Sequence, residues 1–179
     1  MLKLNAKELR DVDENVAEHA IHEIKRNPIF FILDNVYDTY NIGGLFRLAD
    51  GLAIEKMYIC GSSEIPPNPR IAKASVGTYK VVPWEYKETA SDAIKELRMR
   101  SEEIEIIAVE QSDTSVPYTH IEYTSPVAII LGNETFGVAK ETLDLCDYVA
   151  EIPMWGINKS LNVIISAGIV GYHIKSKIV

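Results

Sequence analysis

Two stretches of this chain, Phe30–Leu33 and Val127–Leu131, hold only apolar side chains, and they limit the fold more tightly than any other feature. A strand with one wet face alternates apolar and polar residues; a strand apolar throughout is covered on both faces. Turn residues follow each run, Asp34-Asn35 after the first and Gly132-Asn133 after the second. Further strand-like segments lie at Lys56–Cys60, Tyr79–Pro83, Ile104–Val109 and Tyr148–Ile152. Between them stand helix-like segments at Ala6–Arg26, Ile42–Leu52, Thr89–Ser101, Val138–Leu145 and Ser160–Lys175, with a short helical turn at Ile71–Ser75. This alternation predicts an α/β fold: a mostly parallel sheet with helices on both faces. In the first helix Val16, Ala20 and Ile24 recur at four-residue steps, and Asn5 with Glu8 forms a capping box. Asn41 and Ser160 are placed to cap the helices that follow them.

The 179 residues, 47% hydrophobic, are enough for one domain with a buried core. No apolar run approaches membrane-span length, and the carboxylate-rich N-terminus has no signal-peptide core. Cys60 and Cys146 stand alone, which suits buried thiols in a reducing, cytoplasmic setting. The net charge of −8 argues against nucleic-acid binding through bulk field. Bases are nonetheless concentrated locally: Arg70, Lys73, Lys80 and Lys87 have only Glu85 for company. His19, His22, His120 and His173 lie away from the polar clusters described next. No metal-ligand spacing is present, so no metal is expected.

Parallel sheets bind ligands at the carboxyl ends of their strands. Three polar clusters fall there: residues 34–47, 131–137 and 152–162. In the first, Gly43 and Gly44 leave the start of a helix open, with Asn41 and Arg47 beside them. A helix start with an arginine attracts phosphate or a developing oxyanion, although a capping asparagine and a surface arginine are the simpler reading. In the second, Glu134 directly follows a buried strand, either as a turn residue or as a ligand to a ribose, an amine or Arg47. The Gly-rich dinucleotide fingerprint is absent. In the third, Asn162 is read as standing one turn inside an apolar helix, where an unpaired buried amide costs about 1–3 kcal/mol. That helix runs from Leu161 to Tyr172 without a charge and carries Ala167, Gly168 and Gly171, so a backbone or a flat ligand is expected against it.

Together the clusters resemble the SpoU (TrmH) family of RNA ribose 2′-O-methyltransferases, in the SPOUT superfamily. NIGGLFRLADG (41–51) matches the family's N-x-G-x-x-x-R pattern, LGNETFG (131–137) its L-G-x-E-x-x-G, and IPMWGINKSLNVIISAGI (152–169) its I-P-M-x-G-x-x-x-S-L-N. KASVGTYKVVPW (73–84) resembles the segment between motifs. The similarity spans roughly residues 29–175. One departure stands out: many members have proline two residues before the first-motif asparagine, where this chain has Thr39.

The resemblance implies a deep trefoil knot in the C-terminal half, within a methyltransferase domain at 29–179 preceded by an N-terminal helical extension at 1–28. It implies S-adenosylmethionine as cofactor, held by Leu131, Gly132, Ile152, Met154, Ser160 and Leu161. Arg47, Asn41, Glu134, Ser160 and Asn162 match the family's active-site positions. Arg47 is there either a general base or, since its pKa exceeds 12, a stabiliser of the developing alkoxide. Arg70, Lys73 and Lys80 are candidate RNA contacts. A homodimer is implied, acting on RNA, with tRNA favoured over ribosomal RNA because no large RNA-binding extension is present. The alternatives are a base-nitrogen methyltransferase of the same superfamily and a non-catalytic RNA-binding or assembly factor that retains the knot.

Overall fold

The computed structural model describes residues 3–178; Met1, Leu2 and Val179, at the ends of the two expected segments, lie outside that range. Seven strands and seven α-helices occur among the described residues, alternating except over β4 to β6 and at the N-terminal helix pair. The chain runs α1 (Ala6–Arg10), α2 (Glu14–Glu23), β1 (Asn27–Asp34), α3 (Thr39–Gly51), β2 (Ile54–Cys60), α4 (Pro69–Ser75) and β3 (Trp84–Lys87). It continues through α5 (Ala90–Arg100), β4 (Glu105–Val109), β5 (Val116–Pro117), β6 (Val127–Gly132), α6 (Lys140–Leu143), β7 (Tyr148–Glu151) and α7 (Val163–Lys177). The sheet order is β3-β2-β1-β6-β4-β7-β5, and every pairing is parallel.

The apolar strands occupy the middle of this sheet. Phe31, Leu33, Ile129 and Leu131 point to one face, where they join Leu45, Phe46, Ala167 and Val170 of α3 and α7. Phe30, Ile32, Ala128 and Ile130 point to the other, against Ala93, Ile94 and Leu97 of α5. This period-two division explains why Ile29–Leu33 and Val127–Leu131 are apolar on both faces. The chain order reverses beside β1: β2 and β3 lie to one side, β6 and β4 to the other. That switch point lies where Asp34 of β1 faces Gly132 of β6.

Several expected boundaries shift. The single N-terminal helix is two helices, separated at 11–13, although the Asn5–Glu8 capping box forms as expected. Its expected inward stripe is not built: Val16 is exposed, Ile24 is half-buried, and Ala17 is buried instead. The Ala20 side chain lies outside those described. Residues 79–83 do not form a strand. Val76 and Gly77 have left-handed φ values of 56° and 90°, and a 3-10 turn follows at Thr78–Lys80. The third strand forms at Trp84–Lys87 instead. The helix expected over 138–145 is limited to Lys140–Leu143.

The final helix also differs from expectation. It begins at Val163, so Asn162 is its cap rather than an interior residue, and Ser160 is in the preceding loop. Its small residues admit side chains rather than a backbone. An added Cβ at Gly171 would stand 2.8 Å from Leu52 Cδ1, and one at Gly168 would make ordinary contact with Leu48, at 3.9 Å. Gly44 in turn abuts Ile164, so residues 44 and 48 of α3 and Leu52 just after it interlock with α7 residues 164, 168 and 171.

Candidate active site

Asp38, just after β1, caps α3 by accepting the N–H of Tyr40 at 2.8 Å. The helix therefore starts at Thr39, before Asn41, and Asn41 is freed from the capping role expected of it. Thr39 takes the first helical position, where a proline fits without losing a hydrogen bond, so its departure from the family pattern leaves this geometry intact.

Asn41 is buried at 6% exposure and lies between two other motif residues. Its Nδ2 donates to Glu134 Oε1 at 2.8 Å, and its Oδ1 accepts from Asn162 Nδ2 at 3.0 Å. Asn162 Oδ1 accepts the N–H of Ile164 at 2.9 Å, which caps α7. The orientation follows from Glu134. An ionised carboxylate only accepts, so Asn41 must turn its NH₂ toward Glu134 and its oxygen toward Asn162. Glu134 also accepts the N–H groups of Tyr37 and Asp38, each at 3.2 Å. Desolvation is the largest single influence on this carboxyl and raises its pKa. The hydrogen bonds from Asn41, its own N–H, Tyr37 and Asp38 outweigh it and hold the group below the usual carboxylate range. Residues 41, 134 and 162, distant in sequence, are thus one hydrogen-bonded chain.

That chain borders a cavity of about 560 Å³ at the carboxyl ends of β4, β6 and β7. The volume is within the range of small-molecule sites, about 300–1,000 Å³. Leu131, Gly132, Ile152, Met154, Ser160 and Leu161, the six expected cofactor residues, all line it, together with Glu134 and Asn162. Gly132 is required here by close approach, because a Cβ would collide with the backbone of Gly137. Gln111 Nε2 donates to the carbonyl of Lys159 at 2.7 Å and so ties the 152–162 loop to the end of β4. The mixture of backbone groups, apolar walls and a few polar side chains suits a nucleoside with an amino-acid tail.

Arg47 is not on the cavity wall. It lies four residues after Gly43, which abuts Ala74 of α4, and three after Gly44, which abuts Ile164 of α7. It is exposed, on the part of α3 that meets those two helices. Among the described residues its guanidinium has no hydrogen bond or ion pair. Arg70 and Lys73 on α4 are likewise exposed, with free side chains among the described residues. Lys80 differs: its ammonium donates to the carbonyls of Arg10 and Val12, at 2.9 and 3.0 Å, and holds the N-terminal segment in place. Lys87 pairs with Glu85 and Glu96. The expected basic strip is reduced to Arg70 and Lys73, with Arg47 on the adjacent helix.

Sequence reasoning missed Glu110, Gln111 and Ser166, which also line the cavity; Asn158 and Lys159, within the 152–162 cluster, line it as well. Position offers the only signal for Glu110 and Gln111: they follow a predicted strand at its carboxyl end. No group of three His, Cys, Asp or Glu side chains suited to a metal occurs among the described residues. No helix there is long and apolar enough to cross a membrane.

Known proteins share this sequence pattern and this fold. The chain is 30% identical over 162 residues to the 23S rRNA (guanosine-2′-O-)-methyltransferase RlmB of Neisseria meningitidis, covering 90% of this chain and 60% of that one. It is 29% identical to the tRNA (guanosine(18)-2′-O)-methyltransferase of Escherichia coli, covering 83% of this chain and 64% of that one. The AdoMet-bound rRNA methyltransferase of Sinorhizobium meliloti superposes with a TM-score of 0.78 at 26% identity, covering 96% of this chain and 60% of that one. This chain thus spans less than two thirds of each. The model of the SpoU rRNA Methylase family matches residues 28–172 and takes in all three motifs, the whole α3–α7 interlock and the cavity wall. By sequence and by fold, this chain belongs to the SpoU rRNA Methylase family.

Proposed function

We propose that the protein transfers a methyl group from S-adenosylmethionine to a ribose 2′-hydroxyl of RNA. One observation carries this reading: Glu134, Asn41 and Asn162, one from each motif, form a single hydrogen-bonded chain at the rim of a nucleoside-sized cavity. The bound cofactor supplies a methyl group already activated on a sulfonium. What remains for the protein is to position the hydroxyl and to manage its proton, and positioning alone is worth about 7–11 kcal/mol.

The backbone at Gly132, Ile152 and Leu161 holds the cofactor, with Met154 and Leu131 against it and Ser160 at the loop edge. Arg47 stabilises charge that develops on the ribose oxygen. An arginine is too weak an acid to serve as a base at neutral pH, so the proton passes to water or to an RNA phosphate. Asn41 and Glu134 fix the helix start that carries Arg47. Arg70 and Lys73 lie on the helix beside Arg47 and contact RNA phosphates, so RNA affinity falls steeply with added salt.

The C-terminal half is threaded as a deep trefoil knot in this reading. Ile165 and Tyr172, seven residues apart on one exposed face of α7, suit contact with a second copy, so the protein is a homodimer. Cys60 and Cys146 are free thiols, and the working place is the cytoplasm. The substrate is tRNA in preference to ribosomal RNA.

The test is incubation with radiolabelled S-adenosylmethionine and purified tRNA or ribosomal RNA, followed by alkaline hydrolysis. Label in alkali-resistant dinucleotides supports ribose methylation, and the RNA that carries it identifies the substrate class. Label in mononucleotides would indicate a base-nitrogen methyltransferase, and no transfer to either RNA would remove the enzymatic reading.

A further inference from the structure

Two carboxylates line the cavity, and they differ in how fully they are engaged. Glu134 accepts from Asn41, Tyr37 and Asp38. Glu110, directly after β4, is half-buried, and its backbone N–H is bonded to the carbonyl of Ala150 in β7 at 3.1 Å. Its Oε2 accepts the N–H of Val138 at 3.0 Å and its Oε1 the N–H of Gln111 at 2.8 Å. Gly137, with a φ of 71°, makes room for the group: any Cβ there would collide with Oε2.

An ionised carboxylate offers about four acceptor sites. The two N–H groups occupy one on each oxygen and lock the carboxylate in place, which leaves one open acceptor on each of two adjacent oxygens. Such a pair matches two adjacent donors on a ligand, and a vicinal diol presents them. An acid at the carboxyl end of a parallel strand, beside a switch point, is also where α/β sheets receive a ribose hydroxyl. β6 lies between β4, which Glu110 follows, and β1, which leads into α3 and Asn41; those two strands are two spacings, about 10 Å, apart. Glu110 is therefore remote from the reacting end and suited to the nucleoside end of a ligand.

We propose that Glu110 receives the two ribose hydroxyls of the methyl donor and makes the pocket selective for a ribonucleoside. The inference rests on the reading of this cavity as the methyl donor's pocket. The test is calorimetric titration of the full chain with S-adenosylhomocysteine and with its 2′,3′-dideoxyadenosyl counterpart. Neither compound carries a transferable methyl group, so turnover does not enter. The wild-type protein is expected to bind the ribose form about tenfold or more tightly, the size of a lost charge-assisted hydrogen bond. Glu110→Gln, with one acceptor oxygen in place of two, is expected to bind the two forms within about threefold of each other.

Equal affinity of the wild-type protein for both compounds would overturn the proposal, and that measurement needs no variant to fold. A Glu110→Gln protein that retains the tenfold preference would overturn it as well. If the wild-type protein binds neither compound, the methyl-donor reading fails and this inference fails with it, an outcome distinct from binding without preference.

Discussion

Asn162 serves two purposes with one side chain. Its oxygen caps α7 and its NH₂ holds Asn41. The two roles separate under substitution. Asn162→Ala is expected to lose both, at a cost of about 1 kcal/mol for the cap, or about 2–4 °C in melting temperature for a chain of this size. Asn162→Asp still accepts the N–H of Ile164 but has no donor for Asn41. It is expected to restore the melting temperature and not the methyl-transfer rate. Recovery of both would reduce Asn162 to a structural cap. The sequence made Asn41, Glu134 and Asn162 visible through motif spacing, but not their connection. Ser160 and Asn162 are both competent caps, and the backbone decides between them by starting the helix at Val163. Beyond its place after a strand Glu110 carried no signal, because its contacts with Gly137, Val138 and Ala150 arise only in the fold.

At the scale of elements, the interlock of α3 with α4 and α7 is what presents Arg47. An added Cβ at Gly43 would stand 2.5 Å from Ala74 Cβ and 2.9 Å from both Ile71 O and Ser75 N, all on α4. Gly43→Ala gains helix propensity, but two of those contacts are backbone and cannot yield. A net loss of about 1–3 kcal/mol is expected in denaturant unfolding. Gly156, with nothing within 4 Å of an added Cβ, should accept alanine without loss, contrary to what a glycine-rich motif suggests.

His173 on α7 gives a second element-scale prediction. It packs edge-on to Tyr118 and Tyr123, with ring centroids at 5.1 and 5.7 Å, and its buried Nε2 has no partner among the described residues. Burial first, and then Lys177, lower its pKa. The folded state therefore resists protonation more than the unfolded state does. Its contribution is present above the unfolded value of about 6.5 and is lost as pH falls below it through the lower folded value. His173→Phe is expected to flatten that part of the stability–pH curve, which thermal melts between pH 7.5 and 5 would detect. The main strands and helices were legible because their apolar periods are long. The Tyr79–Pro83 segment misled because its strand-like residues follow two left-handed positions, Val76 and Gly77, that turn the chain before a strand can start.

At the scale of the molecule, a parallel sheet brings three separated motifs to one edge, and the second and third of them, with the end of β4, wall the cavity. The acidic chain, at −8, presents Arg47, Arg70 and Lys73, unpaired among the described residues, on two adjacent helices, a local field opposite to its net charge. The sequence carried the architecture because central parallel strands must be apolar on both faces. It did not carry the split between bases engaged inside the fold, Lys80 and Lys87, and those left free, since both kinds look alike in a row of residues. In the proposed reaction Arg47 acts on the ribose oxygen from outside the cavity wall. Arg47→Ala should be measured for single-turnover methyl transfer and for S-adenosylhomocysteine affinity together. The expected result is a transfer rate lower by about 10²–10³ with affinity unchanged within about threefold. Transfer at the wild-type rate would contradict the account.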